Sequence, residues 1–187
     1  MPLPNLVILL SFTVLGVAMF VLGARYRGQR IKFWGKPTIE NVYFVTGKVS
    51  LFSSWGLLLL KSILTRWNWN QVPEGVAWFA ALLSCLGTGI MIVSFYDLGA
   101  SVRVGLPETV TNLQTKGIYR ISRNPMYLGV FLVCIASSTF FPNPVNLGLA
   151  LYGMIIHHRI ILGEEKFLEE RFGPEWQRYK ERVRRYV

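Results

Sequence analysis

The chain has 187 residues, 52% of them hydrophobic and only 16% charged, with a mean hydropathy of +0.38. Soluble domains carry about 25% charged residues, so this composition excludes a disordered chain and disfavours an ordinary soluble globule. The net charge of +10 would suit nucleic acid unless its distribution says otherwise.

The distribution points to a membrane. Leu3 to Ala24 carries no charge and matches the roughly 20 residues a bilayer-spanning helix needs. It lacks the basic start and small-residue cleavage site of a signal peptide and reads as a retained span over 3–24. A basic loop follows, with Gly28, Gly35 and Pro37. The second span is 42–64, with Lys48 and Lys61 placed to snorkel from its ends. Trp67 and Trp69 in the next short loop read as interface anchors. The third span is 75–97, and Asp97 at its end reads as interfacial. Between Arg123 and Arg159 lie 35 uncharged residues, too many for one crossing at about 1.5 Å each. Pro142-Asn143-Pro144 divides them, giving spans 125–141 and 145–162 in a tight antiparallel hairpin. The expected fold is all-α and polytopic, with five transmembrane helices.

Of the 20 basic residues, 17 fall in three segments that share one side of that topology. By the positive-inside rule that side is the cytoplasm and the N-terminus is outside. Topology and anionic lipid then account for the basic charge, so nucleic-acid binding is not needed. Leu168, Phe172, Trp176, Tyr179 and Val183 recur at helical spacing, predicting a cytosolic amphipathic C-terminal helix broken at Gly173-Pro174. Cys85 and Cys134 have neither metal nor disulfide spacing. The adjacent His157 and His158 lack a third ligand, so no metal site is expected.

Three polar clusters meet the inner face: Gly117-Ile118-Tyr119-Arg120-Ile121-Ser122-Arg123-Asn124-Pro125-Met126-Tyr127-Leu128-Gly129, Arg159 with Glu164-Glu165, and Phe172-Gly173-Pro174-Glu175-Trp176 with Tyr179. Pro125 suits the first turn of a helix, whose free N–H groups can meet an anion. The hairpin brings the first two clusters together. Glu165 reads as a charge favouring the start of a following helix, and Arg120 as an interface residue.

The string GIYRISRNPMYLG, followed after one hairpin by EEKFLEERFGPEWQRYKERVRRY, resembles the isoprenylcysteine carboxyl methyltransferase family, relatives of the phospholipid N-methyltransferases. The resemblance covers about 101–186 and implies a single membrane domain, 1–187, with its catalytic half at 99–187. It implies S-adenosylmethionine as cofactor, S-adenosylhomocysteine as product and a lipophilic acceptor from the bilayer. The expected cofactor contacts are Leu113, Gln114, Tyr119, Arg123, Asn124, Pro125, Met126, Tyr127 and Glu164. The expected catalytic residues are Arg159 and Glu164. The stretch Gly99 to Arg103 is expected to help cover the cofactor. Two positions depart from the family pattern. Asn124 stands where histidine is usual, and Arg159 precedes Glu164 by five residues, not the four of eukaryotic members. Tyrosine rings can face a sulfonium, and a carboxylate acceptor needs no general base at neutral pH. An amine acceptor would have to lose a proton first, to Glu164 or Glu165. Carboxylate, phospholipid amine and small thiol all remain open as acceptors. So does a non-catalytic membrane protein that kept the fold. The expected location is a prokaryotic inner membrane.

Overall fold

The computed structural model describes residues 1–26, 37–65, 71–99 and 112–187. Six helices carry the described chain: α1 Leu3–Tyr26, α2 Asn41–Ile63, α3 Glu74–Leu98, α4 Pro125–Phe140, α5 Pro144–Phe172 and α6 Pro174–Arg182. A 3-10 turn, Gly117–Arg120, precedes α4. No strand occurs among the described residues, and the chain is an all-helical polytopic membrane protein. The basic residues Arg27, Arg30, Lys32 and Lys36, the tryptophans Trp67 and Trp69, and the residues 100–103 of the expected covering loop lie outside the described residues.

Four helices, α1, α2, α3 and α5, are long and apolar enough to cross a membrane. The helix expected over 125–141 is apolar but has 16 residues. At about 1.5 Å per residue it is roughly 24 Å long, shorter than the ~30 Å hydrocarbon core. The boundary expected at residue 162 is also displaced. α5 continues through Gly163, Glu164 and Glu165 to Phe172, for 29 residues. Gly163 lies inside the helix, where its bare Cα serves packing: a Cβ there would lie 2.6 Å from Cβ of Thr38. The break comes at Gly173, where φ is +46°, and Pro174 opens α6. The amphipathic segment is therefore the C-terminal end of α5 plus a nine-residue α6.

Small residues let the helices close on one another, as in membrane bundles generally. α3 and α4 touch through backbone: a Cβ on Gly87 would lie 2.7 Å from the Gly129 carbonyl oxygen, and one on Gly129 would lie 2.5 Å from that of Gly87. α2 and α5 run antiparallel, with Thr38 meeting Gly163, Gly47 meeting Ile156 and Leu51 meeting Gly153. Buried polar groups pair across helices. Ser54 Oγ donates to Asn146 Oδ1 at 2.8 Å, Ser137 Oγ to the Ser54 carbonyl at 2.7 Å, and Asn146 Nδ2 to the Ser137 carbonyl at 3.0 Å. Ser11 of α1 bonds Ser84 of α3 at 2.9 Å. Around them pack Ile8, Leu51, Leu58, Ala80, Met91 and Val133. The hairpin turn holds because Asn143 Oδ1 accepts from the Val145 N–H at 2.9 Å, capping α5.

Candidate active site

The site is built at one end of the α4–α5 hairpin. Pro125 is the first residue of α4, and no side chain caps that terminus. Two residues into α4, Tyr127 is buried. Its hydroxyl donates to Glu164 Oε1 of α5 at 2.9 Å. Among the described residues, this is the hydrogen-bond partner of Glu164. Its second oxygen is uncommitted.

The neighbouring Glu165 does different work. It is 7% exposed. Its carboxylate lies 3.3 Å from Arg123 Nη2, accepts Asn124 Nδ2 at 3.0 Å, and is clasped by Arg185 through Nη2 at 2.8 Å and Nε at 3.1 Å. The reading of Glu165 as a helix-start charge does not hold, because no helix begins there and the side chain points into the protein. A buried carboxylate shared by two guanidiniums is costly to desolvate, and it persists where its oxygens are partnered, as both are here. Arg123 Nε is buried without a hydrogen-bond partner among the described residues. Arg123 also donates to the Lys180 carbonyl at 3.3 Å and lies 5.7 Å from the Trp176 ring centre.

The chain after α6 completes this end of the hairpin, its foot. The Arg123 N–H donates to the Arg184 carbonyl at 2.9 Å, and Ser122 Oγ to that of Arg185 at 3.2 Å. Tyr186 bonds His158 Nδ1 at 2.6 Å and packs 5.8 Å from the Phe131 ring. Residues 183–187 thus strap α4 to α5. Nothing in the sequence pattern marks this strap, because half of its bonds run through the backbone carbonyls of Arg184 and Arg185.

The 3-10 turn is hung from α3. Asp97 Oδ2 accepts the Ile118 N–H at 2.7 Å, and Gln114 Nε2 donates to the Asp97 carbonyl at 2.7 Å. Gly117 has φ +60°, and a Cβ there would fall 1.9 Å from Asp97 Oδ2. Asp97, read from sequence as interfacial, is a structural acceptor. Tyr119 is buried, and its carbonyl accepts the Tyr179 hydroxyl at 2.6 Å. Burial pushes the Tyr119 phenol well up and that of Tyr179 to about 12.

The hairpin and strap bring Arg123, Asn124, Pro125, Met126, Tyr127 and Glu164 to one end of α4, with Tyr119 reaching it through Tyr179 and α6. Leu113 and Gln114 lie just before the 3-10 turn, beside the end of α3. Arg159 is exposed on α5 and makes no ion pair among the described residues.

Comparison with known proteins bears on this end of the molecule. The family model described as phospholipid methyltransferase matches residues 76–175. Methanethiol S-methyltransferase 1 of Bradyrhizobium diazoefficiens is 29% identical over 183 residues, covering 83% of this chain. Protein-S-isoprenylcysteine O-methyltransferase of Dictyostelium discoideum is 25% identical over 138 residues, covering 69% of it. The chain spans 58% of the length of each of these two methyltransferases. An uncharacterized protein of Haemophilus influenzae matches along its whole length, 36% identical over 63 residues. The family match takes in more than half of the chain, including α3, α4, α5 and the Tyr127–Glu164 pair, and the protein is therefore a membrane-embedded member of the phospholipid methyltransferase family.

Proposed function

We propose that this protein is an S-adenosylmethionine-dependent methyltransferase. It acts on a lipophilic acceptor at the cytosolic membrane interface, with a carboxylate of the prenylcysteine kind as the first choice. The observation that supports this most directly is the Tyr127–Glu164 hydrogen bond beside the uncapped start of α4. The residues present fit the cofactor. Glu164 has an oxygen free to accept from an amine or a ribose hydroxyl. The uncapped N–H groups after Pro125 suit a carboxylate. The rings of Tyr119 and Tyr127 suit an adenine or a sulfonium. Gln114 and Leu113 approach from the 3-10 turn. Arg123 and Asn124 act through Glu165, fixing the start of α4 in place.

Adenosylmethionine, when bound, supplies an electrophilic methyl: the acceptor's lone pair bonds to the methyl carbon while the carbon–sulfur bond breaks and its electrons remain on sulfur. The chain need only align the partners and exclude water. An ionised carboxylate has no proton to lose. We further propose five crossings, with α4 as the short one, the N-terminus outside and the strap in the cytosol, as the basic residues favour.

A small thiol is the second acceptor reading. It is favoured by the match to methanethiol S-methyltransferase 1, which extends over 83% of the chain.

Titration calorimetry of the purified protein with S-adenosylhomocysteine tests the cofactor reading. Binding is expected for the native protein. Tyr127→Phe should weaken it about tenfold, the scale of one hydrogen bond to a charged group. A folded native protein that binds nothing would favour a non-catalytic role. Radiolabelled methyl transfer into lipid and small-molecule extracts then identifies the acceptor.

A further inference from the structure

Lys48 lies within α2, one of the helices apolar enough to cross a membrane, and its side chain is half buried in the bundle. Charged groups in that setting are costly and commonly mark a ligand path. Its neighbour Gly47 meets Ile156 of α5, so this turn of α2 lies directly against α5. Helical side chains lean toward the N-terminus of their helix. Lys48 does so: its Nζ sits 4.6 Å from the ring centre of Phe44, one turn nearer the start of α2. Phe44 packs in one cluster with Tyr127, Ile156 and Ile160. The His157 ring lies 6.1 Å from that of Tyr127, and its Nδ1 is engaged by the Gly153 carbonyl at 2.7 Å. Phe44 thereby carries the Lys48 ammonium beside the cluster that holds Tyr127.

Lys48 has no hydrogen bond or ion pair among the described residues. The Phe44 ring offsets only part of the cost of holding an ammonium there. Through Phe44 it sits on the α2 side of the Tyr127–Glu164 pair. An anion there would gain a direct partner in a poorly screened setting. A protonated amine would be repelled.

We propose that Lys48 positions the methyl acceptor and sets its class, its ammonium holding an anionic nucleophile, a carboxylate or a thiolate, against the Tyr127–Glu164 pair and disfavouring an amine. This rests on the methyl-transfer reading above.

The test combines S-adenosylhomocysteine binding with methyl transfer to three probes: N-acetyl-S-farnesylcysteine, hexanethiol and vesicles containing phosphatidylethanolamine. The native protein should methylate one of the first two, which distinguishes carboxylate from thiolate. Lys48→Met should leave S-adenosylhomocysteine binding unchanged while raising KM for that probe about tenfold, the scale of one charged hydrogen bond. Lys48→Arg should restore the native KM. Three outcomes overturn the proposal and leave the methyltransferase reading standing: a native enzyme that methylates only the amine, an unchanged KM in Lys48→Met, or a KM in Lys48→Arg as high as in Lys48→Met. Failure of the native protein to bind S-adenosylhomocysteine overturns the methyltransferase reading, and the proposal with it.

Discussion

Glu164 and Glu165 are adjacent, identical in chemistry and separated by one step of a helix, which turns them about 100° apart. That rotation divides their work. Glu164 faces Tyr127 and, among the described residues, keeps an oxygen free. Glu165 faces Arg123 and Arg185, and both of its oxygens are spent. Glu165→Gln leaves two guanidiniums around a neutral group, one of them on a side chain only 7% exposed. Removing one partner of a buried pair costs about 3–5 kcal/mol, so the variant should show a markedly lower melting temperature in detergent. Glu165→Asp should recover part of it. Tyr179 offers a second residue-scale test. Its raised pKa, chiefly from burial, means the folded state holds that proton more tightly than the unfolded state. The stabilisation is complete below the ordinary phenol value near 10 and is lost as pH rises through about 12. Alkaline melting curves should show a loss in that window for the native protein, and Tyr179→Phe should show a smaller one, with Tyr119 supplying the rest.

At the scale of elements, the start of α4 depends on its neighbours more than on its own sequence. Pro125 sets the first turn, but α3 positions it from both ends. Gly87 meets Gly129 near one end, and Asp97 holds the 3-10 turn near the other. Gly129→Val would drive a side chain into the Gly87 carbonyl. Overpacking of this kind costs about 1–3 kcal/mol. Because it pushes α4 away from α3, S-adenosylhomocysteine affinity should fall along with thermal stability. Gly148→Ala, at a glycine with open space around it, is the control and should change neither.

At the scale of the whole molecule, the apolar helices place the protein in the bilayer, while the last residues close its polar end. The strap joins α4, α5 and α6 through Arg184, Arg185 and Tyr186. Deleting residues 184–187 removes the Arg185–Glu165 pair and the carbonyls that hold Ser122 and Arg123. The truncated protein should melt at a lower temperature. Adding Glu165→Gln to it should cost less than the same change in the full chain, since both act through one shared carboxylate. Equal costs in the two backgrounds would show that the strap and Glu165 stabilise the foot independently.

Helical, membrane-embedded character was readable directly from the residues, because uncharged runs of spanning length have few other homes and charge clusters sort by side. The hairpin was readable from Pro142-Asn143-Pro144, since proline acts locally. The polar cluster around Arg123, Tyr127 and Glu164 could be brought together on the same local logic. Three features were decided by tertiary structure alone. That Gly163 serves packing rather than a helix end depended on Thr38, more than 120 residues away in the chain. Which glutamate stayed available depended on where Arg123 and Arg185 came to rest. Whether the turn of α2 around Gly47 was covered depended on Ile156 of α5. In each case the deciding partner lies on another element, and a single chain's periodicity carries no information about which face of one helix another will cover.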